Sequence, residues 1–221
     1  MSVPAVSVII PTYNRARTIG AAIGSLLTEA LDLEVIVVDD GSTDDTAAVL
    51  AVQPDARVRV IHGAHAGIAA ARNAGIAVAS AAVIAFHDSD DLALPGRLTT
   101  PVAALHADPE LDFVILNGRL LPPDDDPTRP EAPWIAPAVA AQLVRRPLDA
   151  LDVFQWNLGQ LQGICITRRA LDAVGPLDGS FTILDDLDLM LRVAARGRGC
   201  FIDLPAFAYR QHAGGIARDR L

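Results

Sequence analysis

The chain has 221 residues, of which 51% are hydrophobic and 20% are charged. This balance is typical of a globular protein, and the length allows one large or two small domains. The formal net charge of −9 argues against a nucleic-acid-binding protein, because that function requires a clustered basic face. The chain contains no lysine, which excludes both the lysine of a P-loop and a Schiff-base lysine.

Two cysteines, Cys165 and Cys200, are too few for a disulfide framework, and we expect both to be buried, reduced thiols. The amino terminus has neither the basic region nor the long apolar run of a signal peptide. No segment reaches about 18 uninterrupted apolar residues, so no membrane span is expected. These features favour a soluble cytoplasmic protein and leave peripheral membrane association open.

Strand-like and helix-like stretches alternate regularly through the first half of the chain. The predicted strands are 6–10, 35–38, 58–61 and 83–87, and the predicted helices are 17–30, a segment running to about 52, and 66–80. The first strand is expected to end at Pro11, and Ser42 or Thr43 to cap the second helix. Strands that alternate with helices at these lengths predict βαβ units and a parallel sheet.

The second half is less regular. The predicted helices are 95–107, 136–145 and 183–195, the predicted strands are 113–116 and 163–167, and short apolar stretches at 200–204 and 206–210 close the chain. The proline-rich segment 122–133 is predicted to be a loop without regular structure.

Three carboxylates follow the central predicted strand within four positions, at Asp88, Asp90 and Asp91. Three acids packed together are electrostatically costly unless a cation neutralises them or water surrounds them. At the carboxyl end of a buried strand, where open α/β sheets bind ligands, a cation is the favoured explanation. Oxygen ligands suit Mg²⁺ or Mn²⁺. The alternative is a solvated acidic turn that caps the next helix.

Two further polar clusters end predicted strands, namely Asp39-Asp40 and the turn 11–14. If the strands are parallel, all three clusters face one edge of the sheet, where a nucleotide would lie. The chain lacks a Gly-x-Gly-x-x-Gly loop and the Walker lysine, so a metal at Asp90 and Asp91 would have to hold the phosphates. A phospho-accepting receiver domain also has acids at strand ends, but it needs a nearby lysine.

A series of short segments resembles the family 2 glycosyltransferases of the GT-A fold. The matching segments are 7–14, 37–44, 71–75, 88–91, 168–169, 174–178, 185–189 with Arg192, and 209–212. Their order and spacing match from about residue 5 to 213. The resemblance implies one GT-A-like α/β domain over residues 1–221, with a Rossmann-like, mostly parallel sheet flanked by helices. A nucleotide-binding half would occupy about 1–91, and an acceptor-binding half about 92–221.

The resemblance also implies residue roles on the donor side. Pro11, Tyr13 and Asp40 match positions that contact the nucleotide base, and Asp40 would accept a hydrogen bond from a uracil-like ring. Arg72 matches a position near the nucleotide phosphates, whereas Asn73 fixes the local backbone. The alternative for the base-contacting residues is a turn followed by a helix N-cap.

The acidic motif and the carboxyl-terminal segment supply the implied metal site. Asp88 opens the motif and matches a position near the ribose. Asp90 matches the acid on the ribose or metal side, and Asp91 matches the principal metal ligand. His212 matches a histidine that reaches the metal or the diphosphate. The implied cofactor is Mn²⁺ or Mg²⁺.

Asp186 matches the general base of the family. Asp185 is one carbon shorter than the glutamate that the family usually has there, and Asp188 is interpreted as a structural acid. The alternative for Asp185-Asp186 is an acid pair favoured by the dipole at a helix amino terminus.

The resemblance therefore implies inverting, metal-dependent transfer of a sugar from a nucleotide-diphosphate donor, with a UDP-sugar favoured. The hydroxyl acceptor would be a saccharide or a lipid-linked molecule. A Gln-x-x-Arg-Trp element, found in processive relatives, does not follow Asp186, so one sugar per binding event is expected. The predicted helix 136–145, the proline-rich loop and Trp156-Asn157 are left to form the acceptor site, where Trp156 would stack on a sugar ring. The alternative for Trp156 is a tryptophan of the apolar core. The alternative is a catalytically idle module that binds a nucleotide sugar. A sugar nucleotidyltransferase is disfavoured, because the chain lacks a basic, glycine-rich loop near its amino terminus.

Overall fold

The computed structural model describes residues 3–121, 131–181 and 183–210. The strands are β1 Val6–Thr12, β2 Leu33–Asp39, β3 Val58–His62, β4 Val83–Phe86, β5 Leu92–Ala93, β6 Phe113–Leu120, β7 Ala132–Pro133, β8 Ile164–Thr167 and β9 Gly199–Tyr209. The helices are α1 Ile19–Leu27, α2 Thr46–Ala51, α3 Ile68–Val78, α4 Thr99–Ala107, α5 Pro137–Leu143, α6 Ala150–Gln155, α7 Arg168–Val174 and α8 Asp185–Ala194. Within these ranges, every helix is too short or too polar to cross a membrane.

The nine strands of the described residues form one sheet in the order β3-β2-β1-β4-β8-β6-β9-β5, and β7 pairs with the end of β6. The first four strands in this order are parallel, as the sequence predicts. Beyond β4 the sheet is mixed, because β8 is antiparallel to both β4 and β6, whereas β9 is parallel to β6. The two predicted apolar stretches near the carboxyl end form a single long strand, β9.

Several local predictions are wrong. Pro11 does not end β1, because proline removes only one backbone donor and the carbonyl of Thr12 still accepts the amide of Asp40 at 2.8 Å. Ser42 and Thr43 do not cap α2, which begins later, at Thr46. Within the segment 122–133, residues 122–130 lie outside the described residues. The short strand β7 nevertheless shows that residues 132–133 are regular.

Alternate residues of the central strands face two separate apolar layers. Ile9 and Ile84 contribute to one layer, which packs against α3, α7 and α8. Val8 and Ala85 contribute to the other layer, which packs against α1 and α4. A methyl group on Gly75 would lie 2.5 Å from Cγ2 of Ile9, so α3 can approach β1 this closely only with glycine at that position. This close contact fixes α3, which carries Arg72, against the central strands.

The two cysteines are free thiols, as predicted. Cys165 is buried in β8, while Cys200 in β9 is only partly buried.

Candidate active site

The carboxyl ends of the parallel strands bring the three predicted polar clusters to one edge of the sheet. Thr12 pairs in register with Asp39, and Ile9 pairs with Phe86. The amide of His87 then donates to the carbonyl of Ile9 at 2.9 Å. The turn after β1, the Asp39-Asp40 pair and the acidic segment 88–91 therefore lie along the same edge, as the sequence predicts.

The turn after β1 is held in place by the segment that precedes α2. Asn14 adopts a left-handed conformation with φ of 53°, and its Oδ1 accepts the amide of Thr43 at 2.8 Å. The amide of Asn14 donates to Oγ of Ser42 at 2.9 Å. Tyr13, which is 38% exposed, stacks on His65 with ring centroids 4.1 Å apart. The turn thus presents an aromatic surface where the sequence predicts the nucleotide base.

Asp40 is buried and holds the turn that leads into α3. Its Oδ1 accepts the amide of Ala66 at 2.7 Å, and its Oδ2 accepts the amide of Gly67 at 2.8 Å. Each carboxylate oxygen can accept a second hydrogen bond, so this anchoring leaves room for a ligand. The contact between Asp40 and a base stays a prediction, as do the base contacts of Pro11 and Tyr13.

Arg72 of α3 connects two acidic clusters that are far apart in the sequence. Its Nη1 donates to Oδ2 of Asp185 at 2.9 Å, and its Nη2 donates to Oδ1 of Asp88 at 3.3 Å. The Arg72 side chain is only 5% exposed. The neighbouring Asn73 exchanges hydrogen bonds with the backbone of Leu177, at 2.8 and 2.9 Å, which agrees with its predicted backbone role. The guanidinium of Arg72 is therefore enclosed by carboxylates, and its predicted phosphate contact stays a prediction.

The acidic segment after β4 concentrates negative charge in a partly dry environment. Burial raises the pKa of Asp88 to about 6, and the charges of Asp90 and Asp186 add to this rise, whereas Arg72 opposes it. The pKa of Asp91 is also raised well above its ordinary value, first by burial and then by the charge of Asp88. These carboxyl groups are poised to gain from a cation.

The side chains of this segment fit a divalent cation whose ligands come partly from the protein and partly from a bound substrate. Oδ1 of Asp91 accepts the amide of Arg210 at 2.9 Å, whereas its Oδ2 is buried without a hydrogen-bond partner in the described part of the chain. Among the described residues, no group of three or more histidine, cysteine or acidic side chains is arranged to hold a metal ion. His212 lies outside the described residues. The arrangement suits an ion held by one or two carboxylates and by phosphate oxygens.

The second acidic pair begins α8. Leu184, the residue before the helix, has a left-handed backbone with φ of 67°. Asp185 is buried against Arg72, whereas Asp186 is only partly buried and its Oδ1 accepts the amide of Leu187 at 2.8 Å. Since the charge of Asp186 raises the pKa of Asp88, the two carboxylates lie within electrostatic reach of each other. The two acids of the pair therefore have different surroundings.

The amino terminus of α8 is also fixed from its other side. A methyl group on Gly159 would lie 2.7 Å from Cα of Leu187, so the segment after α6 contacts the backbone of α8 directly. Asp188 forms an ion pair with Arg192 one turn later, at 2.8 Å, in agreement with a structural role. These contacts set the position of Asp186 relative to the sheet.

Sequence reasoning did not find Arg97, which is fully buried beneath the acidic segment. Its Nη2 donates to the carbonyls of Phe86 at 2.9 Å and Ile164 at 3.0 Å, and its Nη1 donates to Sγ of Cys165. The pairing of β4 with β8 ends at Cys165. Beyond this point the two strands separate, and the guanidinium donates hydrogen bonds to one carbonyl of each strand. Burial and this positive charge lower the pKa of His87 to about 3, which keeps His87 neutral. The sequence predicts a helix over 95–107, but α4 begins only at Thr99, and a single arginine just before that helix gives no sequence signal for such burial.

Aromatic side chains lie close to the carboxyl end of β9. The ring of Trp134 meets that of Tyr209 edge-on, with centroids 5.1 Å apart, and its Nε1 donates to Oε1 of Gln160 at 3.2 Å. Tyr209 directly precedes Arg210, whose amide binds Asp91. Trp156, which the sequence indicated as a residue of the acceptor site, is partly buried against the apolar core. Trp134, which the sequence did not indicate, therefore packs against the residue that precedes Arg210.

The sequence profile described as glycosyl transferase family 2 matches residues 7–169. The succinoglycan biosynthesis protein ExoO of Rhizobium meliloti strain 1021 is 33% identical over 98% of this chain and 63% of its own length. A validoxylamine A glucosyltransferase of Streptomyces hygroscopicus subsp. jinggangensis is 43% identical over 52% of this chain and 28% of its own length. This chain belongs to glycosyl transferase family 2, as its motifs predict.

Solved structures confirm the predicted GT-A-like fold. Staphylococcus aureus TarS 1-349 in complex with UDP-GlcNAc superposes with a TM-score of 0.74 at 20% identity, over 95% of this chain and 59% of TarS 1-349. The mannosyltransferase PcManGT from Pyrobaculum calidifontis, in complex with GDP-Man and Mn²⁺, superposes with a TM-score of 0.68 at 21% identity, over 97% of this chain and 59% of PcManGT. The chain spans less than two thirds of the length of each of these relatives.

Proposed function

We propose that this chain transfers a sugar, with inversion at the anomeric carbon, from a nucleotide-diphosphate donor to a hydroxyl group. The observation that carries the proposal is the Arg72 bridge, since one guanidinium contacts both Asp88 and Asp185. Asp88 belongs to the acidic segment, which suits a metal ion and a diphosphate. Asp185 belongs to the acid pair at the start of α8, which suits proton transfer. The bridge therefore brings these two clusters together. The family and fold support the same reaction class.

A UDP-sugar is the donor that we favour. Tyr13 would stack on the base, Asp40 would accept its N–H, and Pro11 would line the same end of the sheet edge. The complex of TarS with UDP-GlcNAc supports a UDP donor, whereas the complex of PcManGT with GDP-Man marks GDP as the competing nucleotide. Asp88 would contact the ribose.

Asp91 would be the principal ligand of Mn²⁺ or Mg²⁺, with Asp90 beside it and His212 as a further candidate. The buried, unpartnered Oδ2 of Asp91 supports this assignment. An ion bound there would act as a Lewis acid that stabilises negative charge on the departing diphosphate.

Asp186 is the proposed general base. Its carboxylate would take the proton of the acceptor hydroxyl while that oxygen attacks the anomeric carbon opposite the diphosphate. The bond between the anomeric carbon and the diphosphate oxygen breaks with its electron pair on the diphosphate, through an oxocarbenium-like transition state. Asp185 cannot share this role, because its carboxylate is buried against Arg72. We infer that Asp185 positions the helix that carries the base.

We propose that the acceptor is a saccharide or a lipid-linked molecule, and that residues 92–221 bind it while residues 1–91 bind the donor. The two free thiols support a reducing, cytoplasmic location, which peripheral membrane association would not contradict. The competing proposal, a catalytically idle nucleotide-sugar-binding module, would keep the donor site and assign both acids of the pair to helix anchoring.

Calorimetric titration of UDP, GDP and dTDP, each with Mn²⁺ and with EDTA, tests the donor site. Wild type is compared with Asp91→Ala, and Asp172→Ala on the exposed side of α7 is the matched control. We expect one nucleotide to bind only with metal, and Asp91→Ala alone to weaken this binding. If the folded wild type binds none of them, or if Asp91→Ala binds as wild type does, the proposed site is wrong.

A further inference from the structure

The acidic segment creates an electrostatic problem for any diphosphate that approaches it. Three aspartates lie within four positions, and the chain has no lysine to offset them. Arg72 is enclosed between Asp88 and Asp185 with only 5% of its side chain exposed. Beside the proposed metal ion, a diphosphate at this edge would therefore gain from a basic side chain that is accessible from solvent.

Arg15 has the position and the exposure that this role requires. Its Nε donates to Oδ2 of Asp90 at 3.0 Å, and its side chain is 26% exposed. Its Nη1 also donates to the carbonyl of Asn14 at 3.3 Å. The guanidinium thus lies between the turn that carries Tyr13 and the acidic segment that carries the proposed metal ligands.

The backbone around Arg15 is fixed, although its guanidinium remains partly exposed. The amide of Arg15 donates to Oγ1 of Thr46 at 2.8 Å, and the amide of Ala16 donates to Oδ2 of Asp44 at 3.2 Å. Together with the Asn14 contacts, these bonds hold the turn against the start of α2 and the segment that precedes it. A side chain that extends from such a held backbone loses less freedom when it binds a ligand.

We propose that Arg15 binds the diphosphate of the donor, an inference that rests on the proposed function above. A planar guanidinium presents paired N–H donors that match phosphate oxygens. Since Arg15 follows Tyr13 by two residues, it links the base end of the site to the phosphate end. Its charge also offsets the repulsion between the diphosphate and Asp90. Arg210 is a second arginine near this segment, and its amide and its charge both act on Asp91 rather than on Asp90.

The test compares nucleotide with nucleoside in the presence of saturating Mg²⁺, which is diamagnetic and so permits NMR. UDP is titrated calorimetrically, and uridine is followed by ligand-observed NMR, on wild type, Arg15→Ala and Arg15→Lys. Arg17→Ala is the matched control, because Arg17 is an exposed arginine two residues away. We expect Arg15→Ala to weaken UDP binding by about 10–100-fold, the effect of losing hydrogen bonds to a charged group. Uridine binding should be unchanged, Arg15→Lys should restore part of the UDP affinity, and Arg17→Ala should bind as wild type does.

Two outcomes would overturn the inference while leaving the proposed function intact. If Arg15→Ala weakened UDP and uridine equally, Arg15 would only hold the turn that carries Tyr13. If Arg15→Ala left UDP binding unchanged, Arg15 would only form an ion pair with Asp90. If wild type itself bound neither UDP nor GDP, the proposed function would fail, and this inference with it.

Discussion

Replacing Arg72 with methionine removes the cation that joins the two acidic clusters of the site. Methionine keeps most of the length and the apolar stem of arginine, so the change isolates the guanidinium. Asp185, whose side chain is 7% exposed, and Asp88, at 25%, would both lose their hydrogen bonds to it. The prediction is a large loss of stability combined with a disturbed donor site.

The size of the loss follows from the burial of the pair. Removing one partner of a buried ion pair costs roughly 3–5 kcal/mol, because the remaining charge stays uncompensated. In a chain of this size, each kcal/mol lowers the melting temperature by about 2–4 °C, so Arg72→Met should melt roughly 6–20 °C below wild type. Arg119→Met is the matched control, since the Arg119–Glu131 pair is 50% and 43% exposed. Losing an exposed pair costs only about 0–1 kcal/mol.

Thermal unfolding followed by circular dichroism measures both variants, and the double variant Arg72→Met/Asp185→Asn tests the cause. If uncompensated charge is responsible, adding Asp185→Asn should recover part of the stability that Arg72→Met loses. Equal melting temperatures for Arg72→Met and Arg119→Met would refute the reasoning. So would a double variant that is less stable than Arg72→Met, because the cost would then lie in packing.

Three other predictions concern the edges of the site. The pKa of Asp88 is raised from 3.8 to about 6, so the stability that its protonation contributes is complete below about pH 4 and is lost as the pH rises through 6. In melting experiments at a series of pH values, metal-free wild type should therefore lose stability relative to Asp88→Asn over this range. A difference that stays constant with pH would contradict this prediction. Gly159→Ala places a methyl group 2.7 Å from Cα of Leu187 and should cost about 1–3 kcal/mol in chemical denaturation, whereas unchanged stability would show that the contact yields easily. Tyr13→Ala should weaken UDP binding by about 1–3 kcal/mol in calorimetry through lost stacking on the base, and an unchanged affinity would remove Tyr13 from the site.

The features that were predictable from the sequence are those with local signals. Continuous apolar runs such as Val35–Val38 indicate strands that are covered on both faces, and parallel pairing then places the ends of those strands at one edge. Residues at those ends, including Asp40 and Asp91, could therefore be selected before their surroundings were known. Helix α8 was predictable because its acids precede an apolar helical pattern.

The features that escaped prediction depend on contacts between distant parts of the chain. The mixed order of the second half depends on β8 lying between β4 and β6, and a pairing of this kind leaves no periodic signal. The bond between Arg72 and Asp185 spans 113 positions. Arg97 was missed because an arginine in the predicted helix 95–107 is expected at the surface, whereas its burial follows from the separation of two strands.

In the proposed mechanism, Asp186 accepts the proton of the acceptor hydroxyl, whereas other residues bind the donor. The most direct measurement compares wild type and Asp186→Asn for the release of UDP from a panel of UDP-sugars with Mn²⁺, in which water serves as the acceptor, together with UDP titration of both proteins. We expect turnover to fall by about 10²–10⁴-fold in Asp186→Asn, the usual contribution of a general base, and UDP affinity to stay unchanged. Undiminished turnover in Asp186→Asn would contradict the account, because the proton would then have to leave by another route.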